Sequence, residues 1–375
     1  MKLELQIQKF LRSYQIPDWN DELKLKFNIL AKQSAKYPNL YLFKYGIDSD
    51  MSLEICQECR GIILDSTNNW EVVAYPFNKF FNLNEPGAAE IDWDSAKVYE
   101  KMDGSLLQLF WYGGKWNWAT SGNPDAAGNV GDHGFTFDEL VRSTIFDRMD
   151  YLDRDAANNA FTKHRNKNIT YMFELTTPFN QVVVQHESKR LTCIGARNIE
   201  TFQELTDIEI GHIYFNTRFP FCKTYDFSSK EEILKALNDK KGTEREGFIV
   251  VDKNFNRVKI KSDDYVKLHR FHQGFSQKNL IDAVRTNEGS EILTHFPNLK
   301  QLYDELKLKY DALVERIQTT FDKISSIENQ KEFAIAATKY PDIQGFFFNM
   351  RAKKLSVKDV LLSCSLEKLQ ELLNG

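Results

Sequence analysis

Hydrophobic positions along the chain change their spacing twice, and these changes divide the sequence into three stretches. From residue 1 to about residue 36, apolar side chains recur at helical spacing, and Pro17 separates two predicted helices. From residue 40 to 268 the pattern becomes short apolar and β-branched runs bounded by turn residues, which is typical of strands. After His269 the helical spacing returns.

Strand patterns dominate the middle stretch. The predicted strands cover residues 41–45, 60–64, 72–75, 98–101, 106–111, 116–120, 171–175, 182–184, 191–196, 248–251 and 257–260. Gly113-Gly114 predicts a hairpin turn, and helical patterns interrupt the strands at residues 135–161 and 228–238. We therefore expect an α+β fold in which antiparallel sheets predominate.

Helical patterns cover the C-terminal stretch, at residues 276–286, 298–327, 330–339, 343–352, 356–363 and 365–373. Residues 298–327 carry an apolar stripe about one helix face wide, and Ser356-x-x-Asp359 matches a capping box. The sequence thus predicts two domains. Residues 1–268 form a strand-rich body with a helical cap, and residues 269–375 form an all-helical domain.

Composition narrows the class of protein. The formal net charge of −4 over 375 residues means that any nucleic-acid-binding surface must be local. No apolar run approaches the roughly 18 residues of a membrane span, and the charged start is unlike a secretion signal, so we expect a cytoplasmic protein. Five cysteines fit reduced thiols, and Cys56-x-x-Cys59 has no second ligand pair that would complete a zinc site.

The candidate chemistry centres on one lysine, in the stretch Glu100-Lys101-Met102-Asp103-Gly104-Ser105. This stretch joins two predicted strands, and its glycine allows the backbone to approach a ligand closely. A lysine that is buried or crowded by other cations can lose its proton and act as a nucleophile. By itself the stretch is equally compatible with a surface turn.

Other polar residues lie against predicted strands. Lys259 and Lys261 share one strand face because side chains alternate, so they could hold a polyanion or could simply be solvated. Glu174 and Glu246 each lie at the edge of a buried strand. Such acids form salt bridges, and the functional alternatives are contacts to a metal ion or to a ribose hydroxyl.

In this order the motifs resemble those of the nucleotidyltransferase superfamily, which includes ATP-dependent polynucleotide ligases and mRNA capping enzymes. The closer resemblance is to the RNA ligase 1 family, the phage type that repairs tRNA. It is carried by Glu-Cys-Arg-Gly-Ile, Lys-Phe-Phe-Asn-Leu, Lys-x-Asp-Gly, Phe-Glu-x-x-x-Pro-x-Asn, Glu-Gly and Lys-Ile-Lys-Ser-Asp-x-Tyr-Val-x-Leu-His. The resemblance covers roughly residues 40–270 and implies a nucleotidyltransferase domain followed by an all-helical domain.

The resemblance also implies a role for each matching residue. Lys101 would attack the α-phosphate of ATP, and Lys259 and Lys261 would grip that phosphate and favour the neutral amine. Further nucleotide contacts are implied for residues that reach the triphosphate, the base or the ribose: Tyr45, Arg60, Lys79, Phe81, Glu100, Gly104 and Glu174. Supporting positions are Asp103, Asn180 and Tyr265. Mg²⁺ or Mn²⁺ would bind near Glu246, with Glu291 as a further candidate ligand.

The implied activity is an ATP-dependent RNA ligase that joins 5′-phosphate and 3′-hydroxyl RNA ends, with tRNA as a candidate substrate and a monomer as the expected state. The helical domain would bind RNA, and residues such as Lys300, Lys307 and Arg316 either contact its phosphates or are simply solvated helix surface. One departure is Thr120-Ser121-Gly122-Asn123, where the family carries a basic residue. The alternatives are a capping-type guanylyltransferase, a DNA ligase, or a non-catalytic RNA-binding module on the same fold.

Overall fold

The computed structural model describes residues 3–13, 18–149, 153–163, 165–214, 219–227, 229–239, 241–272, 277–290, 293 and 299–374. The chain divides into two compact units, residues 1–268 and residues 269–375. Strands and helices alternate in the first unit, whereas the described part of the second contains helices and no strand. The predicted α+β class is confirmed.

The first unit contains thirteen described strands. They are β1 Ile29–Gln33, β2 Leu40–Tyr45, β3 Arg60–Asp65, β4 Glu71–Ala74, β5 Phe81–Asn82, β6 Lys97–Lys101, β7 Ser105–Tyr112, β8 Lys115–Thr120, β9 Ile169–Thr176, β10 Arg190–Asn198, β11 Thr224–Tyr225, β12 Gly247–Val251 and β13 Arg257–Lys261. The helices up to residue 272 are α1 Gln6–Ser13, α2 Trp19–Phe27, α3 Glu54–Glu58, α4 Phe137–Arg148, α5 Arg154–Thr162, α6 Asp207–Tyr214, α7 Lys230–Asn238 and α8 Asp263–His272.

The strands form three sheets. Their orders are β1-β2-β3-β4, β10-β9-β7-β8 and β11-β6-β12-β13-β5. Every neighbouring pair is antiparallel except β13 with β5, as expected from the short turns between strands. Helices α1 and α2 cover the first sheet, where Ile7, Leu23 and Phe43 belong to one buried cluster.

The register of the third sheet positions the candidate site. Strand β12 lies between β6 and β13, and Gly247 is paired with Lys101 on one side and with Lys261 on the other. Lys101 and Lys261 therefore lie at the same level of the sheet, on the two strands that flank β12. A Cβ built on Gly247 would lie 2.1 Å from the carbonyl oxygen of Ile260, so the close packing here requires glycine.

The predicted helix at the end of the N-terminal stretch is wrong. Helix α2 ends at Phe27, and Asn28 has a left-handed conformation with φ of 51°. Residues Ile29–Gln33 then form β1, which pairs with β2. Ile29 is buried while Leu30 is 44% exposed, an alternation that belongs to a strand and was misread as a helix face.

Two further predictions need correction. Residues 182–184, all of which the structure describes, form no strand, because the backbone N–H groups of Val183 and Val184 donate to the Asp103 carboxylate. The single helix predicted at residues 135–161 is two helices, α4 and α5.

The Gly113-Gly114 hairpin turn is confirmed, with positive φ at both glycines. The sequence patterns did not predict short elements such as α3, β5 and β11.

The second unit is a packed set of helices. They are α9 Gln277–Arg285, α10 Lys300–Ser325, α11 Gln330–Ala337, α12 Gln344–Lys353, α13 Val357–Leu362 and α14 Leu366–Asn374. The Ser356/Asp359 capping box is confirmed. Three candidate RNA contacts are ion-paired at 2.7 Å, Lys300 with Asp304, Lys307 with Asp311 and Arg316 with Asp342, which favours their interpretation as solvated surface residues.

None of the described helices combines the length and apolar character needed to cross a membrane.

Substitution Gly247→Ala should lower the free energy of unfolding by about 1–3 kcal/mol or more, because the new methyl group overlaps β13. Urea unfolding of the full chain measures the change. The matched control is Gly211→Ala in α6, where a Cβ meets nothing within 4 Å. That control should be neutral or stabilising, and equal effects of the two substitutions would contradict the packing argument.

Candidate active site

Lys101 is the last residue of β6, and the chain turns sharply after it into β7. The turn is pressed against β9, since a Cβ built on Gly104 would lie 2.4 Å from the carbonyl oxygen of Leu175. Glycine is therefore needed at this position for a packing reason, whether or not a ligand also approaches it. The lysine is held by a sheet on one side and by a tight turn on the other.

Glu246 is the immediate partner of Lys101. Its Oε1 atom lies 2.7 Å from Lys101 Nζ and 3.6 Å from Lys261 Nζ, and the residue is 4% exposed. One buried carboxylate thus bridges two cations. The sequence analysis left Glu246 either as a salt-bridged acid or as a metal or ribose contact, and the structure shows the salt bridge, with Lys101 and Lys261 as its partners.

A cleft of about 780 Å³ opens in front of Lys101. Such a volume is within the range of small-molecule sites. Most of the predicted nucleotide contacts line it: Tyr45, Arg60, Lys79, Glu100, Glu174, Lys259 and Lys261. Residues that are distant in sequence, from β2 to β13, are thereby brought to one surface.

Arg60 contributes a buried donor to this cleft. Its Nη1 atom is buried and has no hydrogen-bond partner among the residues that the structure describes. Burial lowers the pKa of the guanidinium, while the neighbouring Tyr45 and Glu174 act in the opposite direction. The guanidinium also lies 4.9 Å from the centre of the Phe80 ring. An unsatisfied guanidinium N–H at a cleft is suited to an anionic ligand.

The motif Lys79-Phe80-Phe81 places its two rings differently. Lys79 Nζ lies 5.5 Å from the centre of the Tyr45 ring and 5.4 Å from that of Phe81. Phe81 is 6% exposed and does not line the cleft, whereas Phe80 does. The expectation that Phe81 walls the nucleotide pocket is therefore not what the geometry favours. The side chains of adjacent residues point in different directions, and the sequence alone does not show which of the two rings faces the cleft.

Glu174 lies on β9 near Lys101. Burial raises the pKa of Glu174 to about 8; Lys101 and Arg60 lower it, and Glu246 adds to the rise. Its carboxyl group can therefore accept or donate a hydrogen bond close to neutral pH. Glu100 differs, because its carboxylate accepts a hydrogen bond from the Tyr225 hydroxyl at 3.4 Å and its carbonyl accepts one from the Cys222 thiol.

The three supporting positions brace the Lys101 turn. The Asp103 carboxylate accepts a hydrogen bond from Tyr265 Oη at 2.8 Å and two more from backbone N–H groups of residues 183 and 184. Asn180 Nδ2 donates to Ser105 Oγ at 3.0 Å and to the Leu175 carbonyl at 2.7 Å. These contacts fix the turn from both ends without reaching the cleft.

Sequence reasoning missed a buried charge cluster in the cleft wall. Arg257 donates to both carboxylate oxygens of Glu204, at 2.8 and 3.1 Å, and Arg197 donates to one of them at 2.8 Å. Burial opposes ionisation of Glu204, but Arg257 and Arg197 outweigh it and hold the pKa below its ordinary value. Arg257 lies two residues before Lys259, so strand alternation was the signal that could have found it.

The turn Thr120-Ser121-Gly122-Asn123, which lacks the basic residue expected from the family resemblance, has the ammonium group of Lys44 beside it. A Cβ built on Gly122 would lie 3.6 Å from Lys44 Nζ. Lys44 belongs to β2, so the positive charge comes from another sheet rather than from the turn.

The carboxylates near Lys101 suit a Mg²⁺ ion that substrate phosphates also bind, rather than a metal site formed by protein ligands alone. Among the described residues there is no group of three or more His, Cys, Asp or Glu side chains that could hold a metal ion. Glu246 and Glu174 do lie close enough to influence each other electrostatically. Mg²⁺ commonly binds one or two carboxylates together with substrate phosphates. The candidate ligand Glu291 lies outside the described residues.

A family model and the most similar curated relatives point to one family. The model of a protein family described as RNA ligase matches residues 58–265, more than half of the chain. A protein of Autographa californica nuclear polyhedrosis virus, named as a bifunctional polynucleotide kinase/RNA ligase, is 31% identical over 297 residues, which cover 74% of this chain and 40% of that protein. An RNA ligase of Rhodothermus phage RM378 is 25% identical over 409 residues and 90% of each chain.

Among solved structures, an archaeal ATP-dependent RNA ligase aligns with a TM-score of 0.47 and 14% identity, covering 84% of this chain and 82% of that one.

Substitution Glu174→Gln should change how stability depends on pH. In the folded parent the Glu174 carboxyl group keeps its proton up to about pH 8, whereas in the unfolded chain it loses the proton near pH 4.5. The free energy of unfolding of the parent therefore falls as pH rises between these two values. The variant lacks this loss and should gain stability relative to the parent as pH rises from 4.5 to 8. Urea unfolding below, within and above the window measures the difference.

The control for this prediction is Glu209→Gln, whose stability difference from the parent should stay constant from pH 4.5 to 8 and change only below pH 4.5. Hydrogen bonds from Thr206 hold the pKa of Glu209 below its ordinary value, so the parent's carboxylate stabilises the fold at neutral pH and the variant lacks that contribution. A Glu174→Gln difference that stays constant with pH would contradict the raised pKa of Glu174.

Proposed function

This chain belongs to the RNA ligase family, and we propose that it is an ATP-dependent RNA ligase that joins 5′-phosphate and 3′-hydroxyl ends. The observation that carries the proposal is the position of Lys101, whose amine opens on a cleft lined by Lys259, Lys261 and Arg60 and is held by the buried carboxylate of Glu246. A nucleophile surrounded by phosphate-binding cations is what adenylate transfer to a lysine requires.

In the first step Lys101 Nζ forms a bond to the α-phosphorus of ATP, and the bond to the β-phosphate oxygen breaks to release pyrophosphate. Lys259 and Lys261 neutralise charge on the phosphate oxygens as the bonds exchange. The proton that Lys101 Nζ loses in the attack leaves with the solvent or with the released pyrophosphate. Arg60 and Lys79 hold the departing phosphates.

Glu246 and Glu174 would hold a Mg²⁺ or Mn²⁺ ion together with the nucleotide phosphates. When bound, the ion would supply positive charge at the phosphates as the bonds exchange. Glu174 also accepts or donates a hydrogen bond at the ribose. The Phe80 ring, rather than Phe81, is the stacking surface for the base.

In the second step the AMP passes from Lys101 to the 5′-phosphate of an RNA end, so the P–N bond breaks and a 5′-5′ pyrophosphate forms. In the third step the 3′-hydroxyl of another end attacks the former 5′-phosphate and expels AMP. The cations that held pyrophosphate are then available for the RNA phosphate. The same side chains thereby serve successive phosphoryl transfers.

Several finer assignments belong to this proposal. Residues 1–268 act as the adenylyltransferase domain, and residues 269–375 recognise the RNA fold. The enzyme works as a monomer in the cytoplasm, with tRNA among its substrates. The family match does not favour a capping-type guanylyltransferase, a DNA ligase or a non-catalytic module.

Substitution Lys101→Ala should abolish covalent AMP formation and lower RNA sealing by more than about a thousandfold, because the nucleophile is removed. Incubation with labelled ATP and Mg²⁺, followed by a denaturing gel, measures the first step. Circularisation of a 5′-phosphorylated single-stranded RNA measures the complete reaction.

The control is Lys26→Ala in α2, because the Lys26 ammonium is paired with Glu22 at 3.0 Å and Lys26 does not line the cleft. This variant should keep most of the adenylation activity. Undiminished sealing by Lys101→Ala would contradict the proposal. Labelling with GTP in place of ATP would indicate a capping-type enzyme instead.

A further inference from the structure

The Arg197–Glu204–Arg257 cluster joins two sheets of the first unit at the wall of the cleft. The Glu204 side chain is 8% exposed and accepts hydrogen bonds from Arg257 at 2.8 and 3.1 Å and from Arg197 at 2.8 Å. Arg197 belongs to β10 in the second sheet, and Arg257 begins β13 in the third sheet. One carboxylate therefore connects the two sheets beside the cleft.

Arg197 extends this connection to the segment that carries Lys79. Its Nη1 atom donates to the Pro76 carbonyl at 2.8 Å and to Asn78 Oδ1 at 3.0 Å. The segment is also held at its other end, because Lys79 N–H donates to the Gln57 carbonyl at 2.9 Å. Lys79 is thus anchored, through Arg197, to the same carboxylate that holds β13.

Aromatic packing limits the movement of this segment. The Arg257 guanidinium lies 4.2 Å from the centre of the Phe77 ring and 5.6 Å from that of Phe80. A Cβ built on Gly195 would lie 2.5 Å from the Phe77 ring, so Phe77 is pressed against β10. The segment before Lys79 is therefore packed against both β10 and the first residue of β13.

On β13 the cluster is continuous with the two lysines of the cleft. Side chains alternate along a strand, so Arg257, Lys259 and Lys261 share one face, and all three line the cleft. Residues 257–261 are paired with β12 along their whole length. A displacement of Arg257 would therefore be transmitted along the strand to Lys259.

We propose that Glu204 is a positioning residue, which fixes the distance between Lys79 and the lysines of β13 so that together they bind the triphosphate of ATP. The inference rests on the proposed ligase function. Glu204 acts through Arg197 and Arg257, whereas the lysines contact the phosphates. Misplacement of binding groups by about 1 Å can change a rate by about a hundredfold, so a fixed spacing matters.

The alternative is that the cluster acts only through its charge. It contains two guanidinium groups and one carboxylate, and the excess positive charge would attract phosphates to the wall of the cleft. Loss of the carboxylate should then strengthen ATP binding, and loss of a guanidinium should weaken it. Positioning instead predicts that either loss weakens ATP binding.

Substitutions Glu204→Gln and Arg197→Gln change the charge of the cluster in opposite directions, and both break the connection between Lys79 and β13. Each variant should raise the KM for ATP in lysyl-AMP formation by about tenfold, while the rate at saturating ATP falls by less than about threefold. Labelled ATP and Mg²⁺, followed by a denaturing gel, measure both parameters. A lower KM in Glu204→Gln would show that charge alone acts and would overturn the proposal.

A milder variant is Asn78→Ala, which keeps the proposal testable if the loss of a buried charge impairs folding. It removes one acceptor of Arg197 and leaves the charge of the cluster unchanged. The KM for ATP should rise by about threefold, as expected for one lost hydrogen bond. An unchanged KM in a folded Asn78→Ala variant would contradict the connection through Arg197.

The matched control is Asp65→Asn, in β3. Asp65 is a buried carboxylate that accepts hydrogen bonds from Tyr112 and Asn39, and it is not among the described residues that line the cleft. This variant should lower the free energy of unfolding in urea without changing the KM for ATP. A purely structural role of Glu204 would give the same result as this control.

Binding of ATP to the Lys101→Ala protein, measured by calorimetry, separates this inference from the ligase proposal. If the parent forms lysyl-AMP and neither Glu204→Gln nor Arg197→Gln changes the KM, the positioning role is wrong and the ligase proposal stands. If the parent forms no lysyl-AMP, the ligase proposal fails. A weaker affinity for ATP when either substitution is added to Lys101→Ala would still support positioning, and an absence of ATP binding would overturn both.

Discussion

One buried carboxylate between two ammonium groups is the interaction on which the candidate site depends. Glu246 meets Lys101 and Lys261 from neighbouring strands, and the three residues are brought together by the pairing of Gly247 with both lysines. Two cations at this separation repel each other, so the carboxylate makes the closely packed arrangement possible. The same carboxylate holds the amine of the nucleophile in an ion pair at 2.7 Å.

Close backbone packing fixes the geometry around that carboxylate. Gly247 and Gly104 leave room for neighbouring backbone atoms that a methyl group would overlap. Asp103 holds the turn after Lys101 through Tyr265 and through the segment that carries Phe179 and Asn180. The lysine is thus mounted on sheet and turn elements with few degrees of freedom, which limits the reorganisation needed during phosphoryl transfer.

The cations considered as ligand contacts have different partners in the two units. In the first unit, cations gather at a cleft and include a buried guanidinium nitrogen, on Arg60, without a hydrogen-bond partner in the described structure. In the second, Lys300, Lys307 and Arg316 are each paired with an aspartate. A protein with a net charge of −4 can therefore bind nucleotide phosphates locally, as the sequence composition requires.

The sequence by itself determined the family, the α+β class, most strand positions and seven of the predicted nucleotide contacts that line the cleft, because strand alternation and ordered motifs are local properties. Tertiary structure alone decided that Glu246 bridges Lys101 and Lys261, that Phe80 rather than Phe81 faces the cleft, and that residues 182–184 serve Asp103 instead of a sheet. The Arg197–Glu204–Arg257 cluster likewise joins residues that are far apart in the chain. Pairing register and burial depend on which distant segments meet, and no local pattern encodes that choice.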